Sequence, residues 1–328
     1  MNSQFRTPVR IPYLRNALSH KDSVLMIGSC FSENMYKKLK ENQFSVVSNP
    51  AGIVYNPSSI VNTVNRLLCR KKYSQNDLFF HDGLWKCFDH HSAFADHDRD
   101  TALEKINRSF DTAVSLISDL DVLELTFGSS FVYQLNETGR IVANCHKQPD
   151  SVFMRRLLSV DEIVQMCSDL FEKLIYHRKE IRIILTVSPV RHLRDDAHEN
   201  CVSKSHLISA VYELEKKFAQ VYYFGAYELM MDELRDYRFY DSDMLHPSDV
   251  AIDFIWDRFC QSCMDTKTNE FIGKYARIIR ARNHRMQSSQ KEKIQIFAHS
   301  VITELDQISG IFPNVDLTDD YNYFRDLV

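Results

Sequence analysis

Residues 23–32 read SVLMIGSCFS, and the architecture of the domain can be inferred from this segment outward. Its first part, residues 23–27, is a short apolar run that closes at Gly28, which is typical of a strand buried on both faces of a parallel sheet. Large apolar side chains then recur four apart over residues 31–39, with lysines between them, and this spacing predicts a helix. A strand, a tight turn and a helix therefore open the core, and Ser29 lies in the turn.

The rest of the chain repeats this alternation of strand and helix. Further apolar runs predict strands at residues 44–47, 122–127, 181–187 and 221–224. Helical spacing occupies the intervals between them, at residues 101–120, 159–176 and 203–219, and it returns after the last strand at residues 248–263. Ser58 or Ser59 is expected to cap one more helix, which reaches about residue 69. The alternation predicts an α/β fold with a five-stranded parallel sheet, right-handed crossovers and helices on both faces.

Two segments depart from the alternation. An Asp82-Gly83 pair between two apolar runs predicts a β-hairpin over residues 78–88. Beyond residue 264 the chain reads only as helix, at residues 269–282 and 294–308. We therefore expect an α/β domain at residues 1–264 and a helical extension at residues 265–328. This extension serves either as a lid or as an element through which the chain forms a homo-oligomer.

Composition and charge restrict the class of protein. The chain has 40 Lys and Arg against 44 Asp and Glu, a net charge of -4, so no overall positive field attracts nucleic acid. No run of ~18 apolar residues is present, and residues 1–20 lack the apolar core of a signal peptide, so we expect a cytoplasmic protein that makes no membrane contact. Eight scattered cysteines are expected to be reduced, and Cys260 and Cys263 lack the second Cys/His pair that a zinc site requires. The sequence predicts no metal and no cofactor.

The candidate chemistry lies where the strands end, since open parallel sheets bind ligands at the carboxyl ends of their strands. Ser29 comes one residue after the first strand, at the positive end of the following helix, and the N–H of Cys30 is available to an oxyanion there. A nucleophilic serine requires a base, and the base requires a partner that orients it. Asp243 and His246 lie three residues apart, and Pro247 after them favours the start of a helix and a non-helical His246. These residues predict a Ser-His-Asp triad.

Several motifs in this order resemble a known family. The stretch GSCFS at residues 28–32 is similar to the signature of the GSCFA family, a branch that resembles the SGNH/GDSL hydrolases. Further matches are NPAGIVYNP at 49–57, NCHK at 144–147, SPVR at 188–191, DYRFY at 236–240 and DMLHPS at 243–248. The resemblance covers roughly residues 20–260. It implies a three-layer flavodoxin-like fold with Ser29 as the nucleophile and Asp243 and His246 as its acid–base pair.

The resemblance also implies three donors for the oxyanion. Besides the amide after the first strand, here Cys30, the hydrolase group uses a glycine amide after the second strand, a position that Gly52 matches. The third donor is an asparagine in a G-x-N motif after the third strand, but here Gly128-Ser129-Ser130 has serine at that position. Either Ser130 donates its hydroxyl or Asn144 replaces it. Asn144 is preferred, because an amide N–H is a fixed donor whereas a hydroxyl rotates.

Other residues near the predicted site permit more than one interpretation. Cys30 is an alternative thiol nucleophile, but one residue of helix rotates a side chain by ~100°, so only one of Ser29 and Cys30 faces His246. Asp89, His90 and His91 suggest a metal site, but adjacent histidines on a strand point to opposite faces.

Four further residues are candidates for substrate binding: His91, Ser130, His146 and Arg191. His91 otherwise has a core or surface role. Arg191, together with His192, could hold a substrate carboxylate or a sugar hydroxyl. For the last pair an exposed loop is the alternative.

We expect a serine esterase or acyl hydrolase. The substrate implied by the resemblance is an O-acyl, for example O-acetyl, ester of a carbohydrate. The same site in an acyltransferase, and a non-catalytic carbohydrate-binding module that retains the pocket, are the alternatives.

Overall fold

Five strands form a parallel sheet in the computed structural model, which describes residues 7–191, 196–283 and 291–328. In chain order the strands of the described residues are β1 (Ser23–Gly28), β2 (Ser45–Ser48), β3 (Phe79–His81), β4 (Leu84–Lys86), β5 (Val122–Phe127), β6 (Phe131–Leu135), β7 (Ile141–Val142), β8 (Phe153–Leu157), β9 (Arg182–Val187) and β10 (Val221–Tyr223). The order across the sheet is β10-β9-β5-β1-β2, which is the flavodoxin-like order. The predicted α/β fold is confirmed.

The described helices follow the predicted alternation, with shifted boundaries. They are α1 (Cys30–Glu41), α2 (Pro57–Leu68), α3 (Arg99–Ile117), α4 (Val160–His177), α5 (Ala197–Lys217), α6 (Ala226–Glu228), α7 (Asp249–Cys263), α8 (Thr266–Asn283), α9 (Lys291–Ile311) and α10 (Thr318–Arg325). Two start signals were misread. The cap of α2 is Asn56, whose Oδ1 accepts the N–H of Ser59 at 2.8 Å, and not Ser58 or Ser59. Helix α5 begins six residues before the predicted start at 203, because Asp196 caps a polar first turn that has no apolar period.

Alternate residues of the central strands face the main hydrophobic core. Ile27, Leu125 and Leu185 belong to one buried cluster that also contains apolar side chains of α2, α3, α4 and α5. The residues that point to the opposite face, such as Met26 and Glu124, are buried as well. Burial on both faces explains why these strands read as continuous apolar runs.

Two smaller sheets accompany the central one. Strands β3 and β4 pair antiparallel through a turn at Asp82 and Gly83, whose φ angles of 52° and 74° are left-handed, and this confirms the predicted hairpin. The second small sheet, in the order β7-β6-β8, was not predicted. Its strands include Gln134, Arg155 and Arg156, and these polar residues hide the alternation of a strand.

The chain forms two compact units. The first includes Ser23–Tyr36 and Val46–Trp256 and therefore holds the central sheet. The second includes Pro12–Asp22, Lys37–Ser45 and Asp257–Val328. Helices α8, α9 and α10 of this second unit bury a common apolar cluster.

Helix α10 was not predicted. Its Asp320 accepts hydrogen bonds from Tyr275 and Arg282 of α8, so the helix depends on contacts that are distant in sequence.

No described helix combines the length and the apolarity that a membrane crossing requires.

Candidate active site

Ser29 lies at the point where the strand order of the sheet reverses. It follows β1 directly, and Gly28 before it pairs with Thr126 of β5. A Cβ at position 28 would lie 2.5 Å from the Cβ of Thr126, so only glycine permits this approach. The side chain of Ser29 is buried, with 1% of the residue exposed, and its hydroxyl donates to Ser188 Oγ at 3.0 Å. The N–H of Phe31 donates to Ser29 Oγ at 3.3 Å, so the hydroxyl also caps the start of α1.

Ser188 is itself held by a buried lysine. It follows β9, and its N–H donates to the carbonyl of Phe127 at 2.8 Å. Lys204 of α5 donates from Nζ to the carbonyls of Gly128 and Ser188, each at 2.7 Å. Burial lowers the pKa of Lys204 to about 7, because the charged ammonium loses its hydration.

The structure brings Asp243 and His246 together. Asp243 Oδ2 lies 2.6 Å from His246 Nδ1, and Asp243 Oδ1 accepts the N–H groups of Leu245 at 2.8 Å and His246 at 2.9 Å. The bonds from His246 and Leu245 lower the pKa of Asp243 to about 2, so its carboxylate is ionised. The histidine side chain is 44% exposed.

Asp243 acts electrostatically on the turn that contains Ser29. Burial raises the pKa of the neighbouring Cys30 thiol, Lys204 opposes that rise, and the Asp243 carboxylate adds to it. A raised thiol pKa disfavours the thiolate and so argues against Cys30 as the nucleophile. Within the described residues, no hydrogen bond joins His246 to Ser29, whose hydroxyl is bound to Ser188 instead.

The predicted oxyanion donors differ in availability. Cys30 begins α1, so its N–H belongs to the group of amides without an intrahelical acceptor. The Gly52 N–H, in contrast, donates to the carbonyl of Asn49 at 2.7 Å and closes a turn.

The two candidates for the third donor are both engaged elsewhere. The side chain of Asn144 donates to Ser92 Oγ at 3.2 Å and accepts the N–H of His146 at 2.8 Å. Ser130 is fully buried, and its hydroxyl donates to the carbonyl of Ser203 in α5 at 3.0 Å. Ser130 therefore ties the loop after β5 to a helix. Its place in a substrate site stays a prediction.

A cleft of about 530 Å³ gathers two of the predicted substrate-binding residues, His91 and His146, and one predicted oxyanion donor, Asn144. Its lining includes Tyr55, His91, Tyr133, Asn144, His146 and Lys147. The carbonyl of Tyr55 accepts the N–H of Gly128 at 2.7 Å, so one wall of the cleft borders the carboxyl end of β5. The second unit has a smaller cavity of about 200 Å³, whose lining includes His20, Lys267 and Phe312 and none of the predicted site residues.

The adjacent histidines 90 and 91 have different environments. His90 is buried against the rings of Tyr73 and Phe94, and burial lowers its pKa to about 3, so it is a neutral core residue. His91 is exposed at the cleft, and its Nδ1 accepts the N–H of Ala93 at 3.3 Å, which leaves its proton on Nε2. No group of three or more His, Cys, Asp or Glu side chains in the described ranges has the arrangement of a metal site.

The remaining histidine and arginine candidates are placed as follows. His146 is buried, and its Nε2 lies 2.8 Å from the carbonyl of Cys87. Burial lowers the pKa of His146, so its ring is neutral and stabilises the wall of the cleft. Arg191 is half-buried beside Met231. Burial raises the pKa of the Tyr227 and Tyr240 hydroxyls, and the charge of Arg191 opposes that rise. His192 lies outside the described residues.

A comparison with protein families decides what the chain is. The GSCFA family matches residues 23–259, which begin at β1 and end within α7. The chain belongs to the GSCFA family. No curated protein matches it significantly.

Four motifs of this GSCFA chain lie beside β1, β9 or the cleft. Residues 28–32 form the turn into α1, residues 49–57 border β1 and the cleft, and residues 144–147 line the cleft. Asn49 links the first two, because its Oδ1 accepts the Gly28 N–H at 2.8 Å and its own N–H donates to Met26. Residues 188–191 follow β9 beside Ser29.

The contacts of Ser188 and Lys204 in this GSCFA chain were not predicted. Ser188 lies in the SPVR motif, which gives no sign of its bond to Ser29. Lys204 lies within a polar helical stretch and reads as a surface lysine, so no local signal distinguishes it. Its burial depends on where the carbonyls of Gly128 and Ser188 lie in the fold.

Proposed function

We propose that this protein is a serine hydrolase of the esterase type, in which Ser29 is the nucleophile, His246 the general base and Asp243 the residue that orients it. The observation that carries this proposal is the 2.6 Å contact between Asp243 and His246. The Asp243 carboxylate also raises the pKa of the thiol of Cys30, the residue next to Ser29. Membership of the GSCFA family and its resemblance to the SGNH/GDSL hydrolases support the same assignment.

The contact sets the protonation of the base. The ionised Asp243 accepts the Nδ1 proton of His246, which leaves the lone pair of Nε2 free to take a proton. For reaction, the Ser29 hydroxyl turns from Ser188 Oγ towards this nitrogen. The Ser29 oxygen then bonds to the acyl carbon of the ester as its proton passes to His246, and His246 returns that proton to the departing alcohol.

The negative oxygen formed in this step is stabilised first by the Cys30 N–H at the positive end of α1. Gly52 becomes a second donor when its bond to Asn49 opens, and Asn144 becomes a third when its amide leaves Ser92. One such donor is worth ~3 kcal/mol in the transition state. Water activated by His246 then attacks the acyl group and restores Ser29.

The cleft supports a carbohydrate ester as the substrate. Tyr55 and Tyr133 provide ring surfaces, while His91 Nε2–H and the Asn144 amide provide polar groups that suit sugar hydroxyls. The resemblance suggests an O-acyl group such as acetyl. A sugar hydroxyl bound here in place of water would complete acyl transfer instead of hydrolysis.

A second candidate is a carbohydrate-binding module without catalysis. One observation favours it: the Ser29 hydroxyl is buried and bound to Ser188, and not to His246. In that case the cleft binds its ligand and Ser29 acts only as the cap of α1.

Labelling with a fluorophosphonate tests the two candidates. The reagent forms a bond between Ser29 Oγ and phosphorus, fluoride leaves, and the serine proton passes to His246. We expect the label at Ser29, its loss in Ser29→Ala and its retention in Ser168→Ala, a control at a buried serine of α4. Cys30→Ser should be labelled nearly as well as the wild type. A label on Cys30 would show that Cys30, and not Ser29, is the nucleophile. Folded protein without a label at Ser29 would favour the binding module.

A further inference from the structure

Lys204 is a buried cation for which the mechanism above has no role. The residue is 1% exposed, and Nζ donates to two backbone carbonyls, those of Gly128 and Ser188, at 2.7 Å. Among the described residues, no carboxylate forms an ion pair with it. A buried charge without a counter-charge destabilises the fold, so its presence at this position indicates a use for the charge.

The two carbonyls join Lys204 to the candidate nucleophile. Gly128 and Ser188 follow β5 and β9, which are neighbours in the sheet, so the ammonium bridges the carboxyl ends of both strands. Ser188 in turn accepts the hydroxyl of Ser29 at 3.0 Å. The chain of contacts therefore runs from Lys204 through Ser188 to Ser29.

The charge of Lys204 also affects the turn of Ser29 and Cys30 directly. It lowers the pKa of the Cys30 thiol, against the larger effect of burial. A charge that favours a thiolate at residue 30 also favours negative charge on the adjoining serine oxygen, and the interaction is strong because the surroundings are poorly solvated.

We propose that Lys204 is a positioning residue of the Ser29 site: it holds Ser188 against Ser29, and its positive charge stabilises the anion that forms there during acyl transfer. This inference rests on the proposed function, because it assigns Lys204 to the same reaction.

The charge of Lys204 depends on pH. Burial lowers its pKa to about 7, Cys30 of α1 opposes this, and Arg191 after β9 adds to it. On α6, the ring of Tyr227 lies 5.9 Å from Nζ. As pH rises through about 7, Lys204 therefore loses its charge and the anion loses its support. The rate of acyl transfer should therefore decline on the alkaline side of about pH 7.

Two variants test this inference. Lys204→Arg keeps the charge at every working pH, whereas Lys204→Met keeps an unbranched side chain of similar length without charge. The first measurement is independent of activity: alkylation of Cys30 by iodoacetamide against pH, with each cysteine mapped separately. In Lys204→Met we expect Cys30 to react about 3- to 10-fold more slowly near pH 6, where the wild-type lysine carries its charge, because the thiol pKa rises when that charge is absent. The exposed Cys69 should react as in the wild type.

The second measurement is the rate of fluorophosphonate labelling at Ser29 against pH. Lys204→Arg should keep a high labelling rate above about pH 7, because it stays charged. Lys204→Met should be labelled more slowly than the wild type below about pH 7, and its rate should not decline above that pH. Unchanged Cys30 and Ser29 profiles in a folded Lys204→Met variant would overturn the role of Lys204. An altered Cys30 profile with no Ser29 label in the wild type would instead overturn the hydrolase, and with it the catalytic part of the inference.

Discussion

Asp243 holds His246 through a contact of 2.6 Å between Oδ2 and Nδ1. Asp243→Asn replaces the acceptor oxygen or presents an amide N–H, so the Nδ1–H tautomer is no longer favoured. We expect the rate of ester hydrolysis to fall by ~10²- to 10⁴-fold, on the scale seen when the orienting acid of a triad is changed. Asp241→Asn is the matched control, because Asp241 lies in the same loop and, among the described residues, its side chain accepts a hydrogen bond only from the N–H of Ser242. Equal rates in the two variants would show that Asp243 does not orient the base.

Gly52 and Gly83 both have left-handed backbones, with φ angles of 77° and 74°, but differ in their surroundings. A Cβ at 52 would lie 2.4 Å from the Cβ of His91, whereas nothing lies within 4 Å of one at 83. Gly83→Ala should cost about 1–2 kcal/mol of unfolding free energy from the backbone alone. Gly52→Ala should cost about 1–3 kcal/mol more, from the steric conflict. Denaturant unfolding measures both, and equal losses would contradict the predicted clash.

Glu124 makes stability depend on pH. Burial in β5 raises its pKa from 4.5 to about 8, so between these values the folded state keeps a proton that the unfolded state has lost. Its contribution to the free energy of unfolding therefore declines as pH rises through this window. Glu124→Gln removes the titration, so the variant should gain stability relative to the wild type between about pH 5 and about pH 8.

The difference between wild type and variant is the quantity to measure for Glu124. Lys204 titrates with the opposite sign, because its pKa falls from 10.5 to about 7 and its contribution rises with pH above about 7. Both proteins contain Lys204, so its effect cancels in the difference. Urea unfolding at several pH values provides the data. Parallel profiles would mean that Glu124 does not carry this titration.

The proposed mechanism uses side chains and amides for every role, so it predicts activity without a metal ion. Treatment with a strong chelator should leave the labelling of Ser29 and the hydrolysis of an activated ester unchanged. The informative control is the same protein after addition of single divalent ions. Loss of activity on chelation and recovery with one particular ion would require a different mechanism.

The local parts of this structure could be predicted because their signals are local. The apolar run at 23–27, the turn at Gly28 and the spacing of 31–39 predicted β1 and α1, and Asp82-Gly83 predicted the hairpin. Asp243 and His246 contact each other within a single loop, so their spacing was enough to pair them. Strands β6, β7 and β8 were not predicted, because polar residues interrupt the apolar period in β6 and β8.

The order of strands and helices, and the residue types at each strand end, follow from the amino-acid sequence, because backbone propensity and apolar period act over a few residues. Which of those residues contact one another depends on the folded chain. It bound Ser29 to Ser188 and Ser130 to Ser203, and it buried Lys204 between two strand ends. These contacts join residues 16 to 159 positions apart. They depend on crossovers and packing that no short stretch of sequence records.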